Sequence, residues 1–203
     1  MALSAIAIAI LAAGRGSRFG SAKLLAPLRG TPMLLRAVES ARASGASSVL
    51  VVVDALQDEL WGVLPADVTL VLNPRAAEGI ASSLRAALAH LSANPQVGAC
   101  CIGLGDQPLV GADAYRRLAA AHAAGAALAV ATYGGERRNP ALLGRELWRA
   151  AMQLRGDQGA RQLFATQPVI DVACDDTGDP FDVDTPADLA EIEKRCSSKT
   201  SFA

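Results

Sequence analysis

Leu11-Ala12-Ala13-Gly14-Arg15-Gly16-Ser17-Arg18-Phe19-Gly20-Ser21-Ala22-Lys23 follows directly on the apolar run Ile6 to Ile10. A β-branched apolar run of this kind reads as a strand buried on both faces. It empties into a loop with three glycines and three cations, Arg15, Arg18 and Lys23. Glycine reaches backbone angles that other residues resist and lets bare N–H groups approach an anion, while Arg18 and Lys23 add charge-assisted bonds. The stretch predicts a cradle for a polyanion such as a nucleoside triphosphate, built at the end of a buried first strand.

Working outward, apolar runs alternate with helical patterns. Strands are expected at Val49 to Val53, Val68 to Leu72, Gly98 to Leu104, Leu128 to Thr132 and Val169 to Ala173. Helices are expected from Pro32 to a stop at Gly45, over Gln57 to Leu64, Gly79 to Leu91, Ala112 to Ala124, and Ala187 to Arg195 with Thr185 as its N-cap. Such alternation demands a mostly parallel sheet with helices on both faces, a single-domain α/β fold of Rossmann-like type. Gly134 to Pro140 reads as a turn-rich basic segment in a half of the chain that covers the sheet's open end. One domain over 1–196 and a frayed tail over 197–203 follow from length and pattern.

In an open α/β sheet, ligands bind beyond the carboxyl ends of the strands. Three segments arise there: the glycine loop, Gly105-Asp106-Gln107-Pro108, and Asp182-Val183-Asp184-Thr185-Pro186. Mg2+ takes oxygen ligands, typically one or two carboxylates together with substrate phosphates, so Asp106 and Asp184 are the expected metal ligands. Asp182 lies two residues earlier on an extended stretch and is expected one step further from the ion.

The loop does not fit the Walker A pattern, because Ser21-Ala22 separates Gly20 from Lys23. Nor does it fit the dinucleotide fingerprint, because Gly14, Gly16 and Gly20 are spaced one residue too long. Leu-Ala-Ala-Gly-x-Gly-x-Arg-x-Gly-x-x-Lys instead resembles the MobA-like NTP transferases, and within them the molybdenum cofactor cytidylyltransferases. The likeness spans nearly the whole chain, to Arg195. It implies a nucleotide-diphospho-sugar transferase type of fold, and Asp106 of Gly-Asp-x-Pro and Asp184 of Asp-Thr-Pro as metal ligands. It further implies nucleotidyl transfer, in which an acceptor phosphate attacks the α-phosphorus of an NTP and pyrophosphate leaves. Arg18, Lys23 and Asp106 would carry the catalysis.

Nucleotide contacts are expected from Leu11, Ala12, Ala13, Gly14, Gly16, Arg18, Lys23 and Gly105, with Asn73, Gly79, Ser82 and Ser83 near the base or ribose. Related guanylyltransferases usually carry Leu-Ala-Gly-Gly in this loop; the methyl of Ala13 leaves less room and predicts CTP over GTP. For the acceptor, Arg137, Arg138, Asn139 and Arg161 suit a phosphate and a polar heterocycle. The resemblance assigns Asn139, Pro140 and Arg161 to molybdenum cofactor (molybdopterin), although Arg138 stands where glycine is usual. It also implies a molybdenum hydroxylase, or its maturation chaperone, as recipient of the product. Alternatives are GTP as donor, a sugar or polyol phosphate as acceptor, and a non-catalytic protein that delivers cofactor.

The net charge of −1 and 51% hydrophobic composition of the 203 residues speak against a nucleic-acid partner. No apolar run approaches the ~20 residues needed to cross a bilayer, and a cytoplasmic location is expected. Cys100, Cys101, Cys174 and Cys196 lack metal or disulfide spacing and read as buried small hydrophobes.

Overall fold

Both faces of the first strand are apolar, and the fold covers both. The computed structural model describes residues 5–14, 19, 23–55 and 58–199, without the side chains at 58 and 196–199. The chain lays down β1 (Ala5–Leu11), a 3-10 turn at Lys23–Leu25, the short hairpin β2 (Pro27–Leu28) and β3 (Thr31–Pro32), and α1 (Met33–Ala43). Next come β4 (Ser48–Asp54), β5 (Thr69–Asn73), α2 (Ile80–Ser92), β6 (Val97–Leu104) and α3 (Ala112–Ala123). It closes with β7 (Leu128–Tyr133), β8 (Glu136–Gly144), α4 (Trp148–Ala151), a 3-10 turn at Ala160–Ala165, β9 (Ile170–Ala173) and α5 (Pro186–Lys199).

Seven strands form one sheet in the order β5-β4-β1-β6-β8-β7-β9, parallel except for β8. Alternating side chains of β1 enter two separate cores, as a period of two requires. Ile8 and Ile10 pack with Leu34 and Val38 of α1 and Leu118 of α3. Ala7, Ala9 and Leu11 pack with Leu84, Leu88 and Leu91 of α2 and Trp148 of α4. Full burial of each large aliphatic side chain contributes about 1.5–3 kcal/mol before ordering costs. The described cysteines Cys100, Cys101 and Cys174 are buried and free, and burial pushes the Cys100 thiol up to about 12. Among the described residues, no helix is long and apolar enough to cross a membrane.

Three local expectations need correction. Asp58–Val63 is a 3-10 turn rather than an α-helix. Residues 136–140 are not a turn: they begin the nine-residue strand β8, which runs antiparallel between β6 and β7. Its apolar half, Ala141 to Gly144, pairs with β6, whereas Glu136, Arg137 and Arg138 pair with β7 alone. The polar half therefore overhangs the sheet, which is why its composition resembles a loop. Finally, α5 continues to Lys199, past its expected end at Arg195.

α5 is anchored where Thr185 and Asp188 cap each other. The Asp188 N–H donates to Thr185 Oγ1 at 3.2 Å, and the Thr185 N–H donates to Asp188 Oδ2 at 2.7 Å. Ile192 and Leu189 then pack with Leu28, Met33 and Val183, which docks the preceding Asp182-Val183-Asp184 segment on the body of the domain.

Candidate active site

After β1 the chain moves outward to β4 and β5, then returns to β6 on β1's other side. That reversal opens a crevice at the carboxyl ends of β1 and β6. The two strand ends are stitched together there, the Gly105 N–H donating to the Leu11 carbonyl at 3.0 Å. A Cβ on Gly105 would stand 3.2 Å from both Ala12 Cβ and Leu34 Cδ1, so a bare backbone lets the turn close this tightly. Asp106 follows at the rim. The Val183 N–H donates to the Asp106 carbonyl at 3.0 Å and draws the late acidic segment alongside.

Lys23 joins the three segments. Its Nζ donates to Asp106 Oδ2 and to Asp184 Oδ1, each at 2.8 Å. The lysine side chain is 8% exposed, against 28% for Asp106 and 55% for Asp184, so a buried cation is held by two carboxylates that still reach solvent. Burial opposes its charge, but the Asp106 and Asp184 carboxylates outweigh that cost and hold the ammonium above its ordinary 10.5. Among the described residues, no three His, Cys, Asp or Glu side chains gather into a metal cage. The hard oxygen donors on offer there are the two carboxylates that share the Lys23 ammonium, a donor set that fits an ion drawing its remaining ligands from phosphate and water.

Two adjoining hollows flank this centre. One, of about 390 Å³, is lined by Leu11, Ala13, Gly14, Gly79, Ser83 and Asp106. The other, of about 360 Å³, is lined by Gln107, Arg138, Asn139, Arg161 and Asp182 among others. Leu11, Ile80, Leu104 and Asp157 belong to both, so the hollows share a wall. A third hollow, of about 260 Å³ beside Ser44 to Ser47, lies at the amino ends of the strands; its cation Arg116 is paired with Asp113.

Several sequence-derived candidates stand elsewhere. Asn73 is buried with its amide committed: Nδ2 donates to Ser82 Oγ at 2.8 Å and Ser83 Oγ at 3.1 Å, and Oδ1 accepts from the Arg75 N–H at 2.9 Å. Asn73 and Ser82 brace the start of α2 and do not line the hollow; Ser83 does. Asn139 and Pro140 form a bulge in β8, where Val130 pairs with Ala141 and Ala131 with Arg138. The bulge leaves Asn139 on the second hollow, while Pro140 is not among its lining residues. Arg137 is committed to Asp171 at 2.6 Å and stacks over Phe164. Gly16 and Arg18 lie outside the described residues.

Gln107 was invisible as a site residue because its role depends on a distant partner. Its Nε2 donates to the Pro180 carbonyl at 3.0 Å and to Asp182 Oδ1 at 2.9 Å, which fixes the amide's orientation. Oε1 is buried without a hydrogen-bond partner among the described residues. The only local signal is a polar residue between the rim aspartate and a proline.

Residues 8–172 match the family described as the MobA-like NTP transferase domain. The chain belongs to this family. As a MobA-like transferase it is 26% identical to the molybdenum cofactor cytidylyltransferase of Escherichia coli K12, over 95% of this chain and 98% of that protein. It is also 37% identical to the bifunctional protein GlmU of Leifsonia xyli, but only over 61% of this chain. The matched region spans about a quarter of GlmU, 26% of its length. Rv0371c of Mycobacterium tuberculosis has a similar solved structure, with a TM-score of 0.84 and 28% identity over 95% of this chain and 99% of that one. Rv0371c has also been solved in complex with manganese. This transferase domain is therefore a nucleotidyltransferase by family, with the family's α/β fold.

Proposed function

We propose that this domain transfers CMP from CTP to the phosphate of molybdenum cofactor and releases pyrophosphate, with Mg2+ as its metal. The observation that carries the reading is Lys23 Nζ bridging Asp106 and Asp184 beside the glycine-loop hollow. An oxygen of the acceptor phosphate forms the new bond to the α-phosphorus, and the bond from that phosphorus to the bridging oxygen of pyrophosphate breaks. A phosphate monoester is already ionised at neutral pH, so no general base is needed. The chain's task is positioning and charge neutralisation. Lys23, Arg18 and the amides of Ala13, Gly14 and Gly16 would hold the triphosphate. Asp106 and Asp184 would hold Mg2+, which when bound offsets charge on the phosphates.

The nucleotide would occupy the hollow lined by Leu11, Ala13, Gly14, Gly79 and Ser83, with Ala12 and Gly105 packed against each other at the neighbouring strand ends. The methyl of Ala13 favours the smaller pyrimidine. Asn139 and Arg161 would meet the acceptor in the adjoining hollow, with Pro140 shaping the bulge that presents Asn139. The dinucleotide product would pass to a molybdenum hydroxylase or its maturation chaperone, and the work would be done in the cytoplasm.

The test is to incubate the protein and Mg2+ with each NTP in turn and molybdenum cofactor, following pyrophosphate and the dinucleotide. Cytidine dinucleotide as the main product supports the proposal. Equal turnover of CTP and GTP refutes the base preference, and pyrophosphate release only with a sugar or polyol phosphate refutes the acceptor.

A further inference from the structure

The second hollow contains two arginines, Arg138 and Arg161. Most described arginines are committed: Arg42 to Asp67, Arg85 to Glu78, Arg117 to Asp176, Arg137 to Asp171 and Arg145 to three backbone carbonyls. Arg138 and Arg161 have no hydrogen-bond or ion-pair partner among the described residues, although Asp157 and Asp182 line the same hollow. The two also face one narrow slot between β8 and the turn at Ala160–Ala165, lined by Val130, Asn139 and Phe164. They arrive there by different routes: Arg138 is the last paired residue of β8 before the bulge, and Arg161 is the second residue of the 3-10 turn. No carboxylate is among the described residues that line this slot, Asp157 and Asp182 standing in the wider hollow, so the two like charges repel each other there and a bound anion relieves that repulsion.

We propose that Arg138 and Arg161 form a two-guanidinium clamp for the phosphate monoester of the acceptor, making Arg138 a specificity-determining residue of this transferase. Each guanidinium offers five N–H donors in a planar fork that matches phosphate oxygens. The neighbouring commitments leave the task to this pair, because Arg137 is held by Asp171 and Phe164. The assignment rests on the proposed transfer to a phosphorylated acceptor, and it places that acceptor's phosphate on the β8 side of the shared wall.

The probe is inorganic phosphate, titrated calorimetrically into protein saturated with α,β-methylene CTP and Mg2+, so that the nucleotide hollow is filled. Arg138→Met and Arg161→Met are each expected to weaken phosphate binding by about ten- to a hundredfold, the range for one charge-assisted contact. Arg138→Lys should restore part of the loss. Arg149→Met serves as control, since Arg149 is exposed on α4 and lies outside the hollow; it should change nothing. In turnover assays, Arg138→Met should raise the acceptor KM while leaving the CTP KM within about twofold. Phosphate affinity unchanged in Arg138→Met, or lost equally in Arg149→Met, overturns the clamp. So does weakened nucleotide binding with normal phosphate binding. A wild-type protein that binds phosphate through Arg138 yet never uses molybdenum cofactor sinks the functional proposal and leaves the clamp standing.

Discussion

Gly79→Ala should damage both hollows with a single methyl group. Gly79 adopts φ +94° and ψ 178° at the start of α2, a conformation that costs an L-residue about 1–3 kcal/mol. Its added Cβ would also fall 2.5 Å from both the carbonyl carbon and oxygen of Gly156, and 2.6 Å from Asp157 Oδ1. Ordinary contact begins near 3.4 Å, so the turn at 154–158 must retreat by roughly 0.9 Å. That retreat strains the bond from the Ala81 N–H to the Gly156 carbonyl, now 3.0 Å, which adds about 0.5–1.5 kcal/mol. The total is about 1.5–4.5 kcal/mol, and a shift of this size in a positioning wall costs on the order of 10²-fold in turnover. Urea unfolding reads the first quantity and pyrophosphate release the second. Gly125→Ala supplies the backbone term alone, because Gly125 has φ +105° with open space around its would-be Cβ. Equal destabilisation by the two substitutions, or normal turnover by Gly79→Ala, would refute the shared-wall reasoning.

Lys23→Met should lower turnover by about 10²–10³-fold, the usual effect of removing one preorganised charge, read by pyrophosphate release at saturating CTP. The same substitution has a signature in stability. The folded-state pKa of Lys23 is raised above 10.5, so its stabilisation is complete below that pH and fades as pH rises through the folded value. The stability gap between wild type and Lys23→Met should therefore shrink above pH 10.5; a constant gap would show that the ion pairs contribute nothing. Gln107→Leu leaves the Pro180 carbonyl and Asp182 Oδ1 without their donor but also removes the orphaned Oε1, for a net cost of about 1–2 kcal/mol. Gln107→Glu should be worse at pH 7, because it sets a carboxylate against Asp182, and the two variants should converge near pH 4 as carboxylates protonate. Chemical denaturation at both pH values checks the order.

The parallel core was legible because strands buried on both faces are written as unbroken apolar runs, and Ala5–Leu11 and Ser48–Asp54 are such runs. β8 was not, because its polar half has a neighbour on one side only and carries the overhang's composition. Asp106 and Asp184 stood out as acids at strand and helix boundaries. Their junction through Lys23 spans 83 and 161 positions and could not be read from spacing. Lys23 was expected to serve a phosphate; its pairing with both aspartates was not foreseen. Asn73 and Ser82 looked like free polar groups beside a helix start; burial turns them toward each other, and a sequence does not record which donors are already spent. Likewise, Arg137 and Arg138 are neighbours of identical chemistry, and only the fold gives one of them Asp171 and leaves the other without a partner among the described residues.

The most direct measurement is a double-mutant cycle on pyrophosphate release with Asp106→Asn and Asp184→Asn. Each single variant should lose at least ~10²-fold in kcat, and the double variant should fall little further than the worse single one, as expected of residues that act as a unit. Wild-type rates in either single variant, or losses that multiply as if independent, would contradict a shared carboxylate centre at the junction with Lys23.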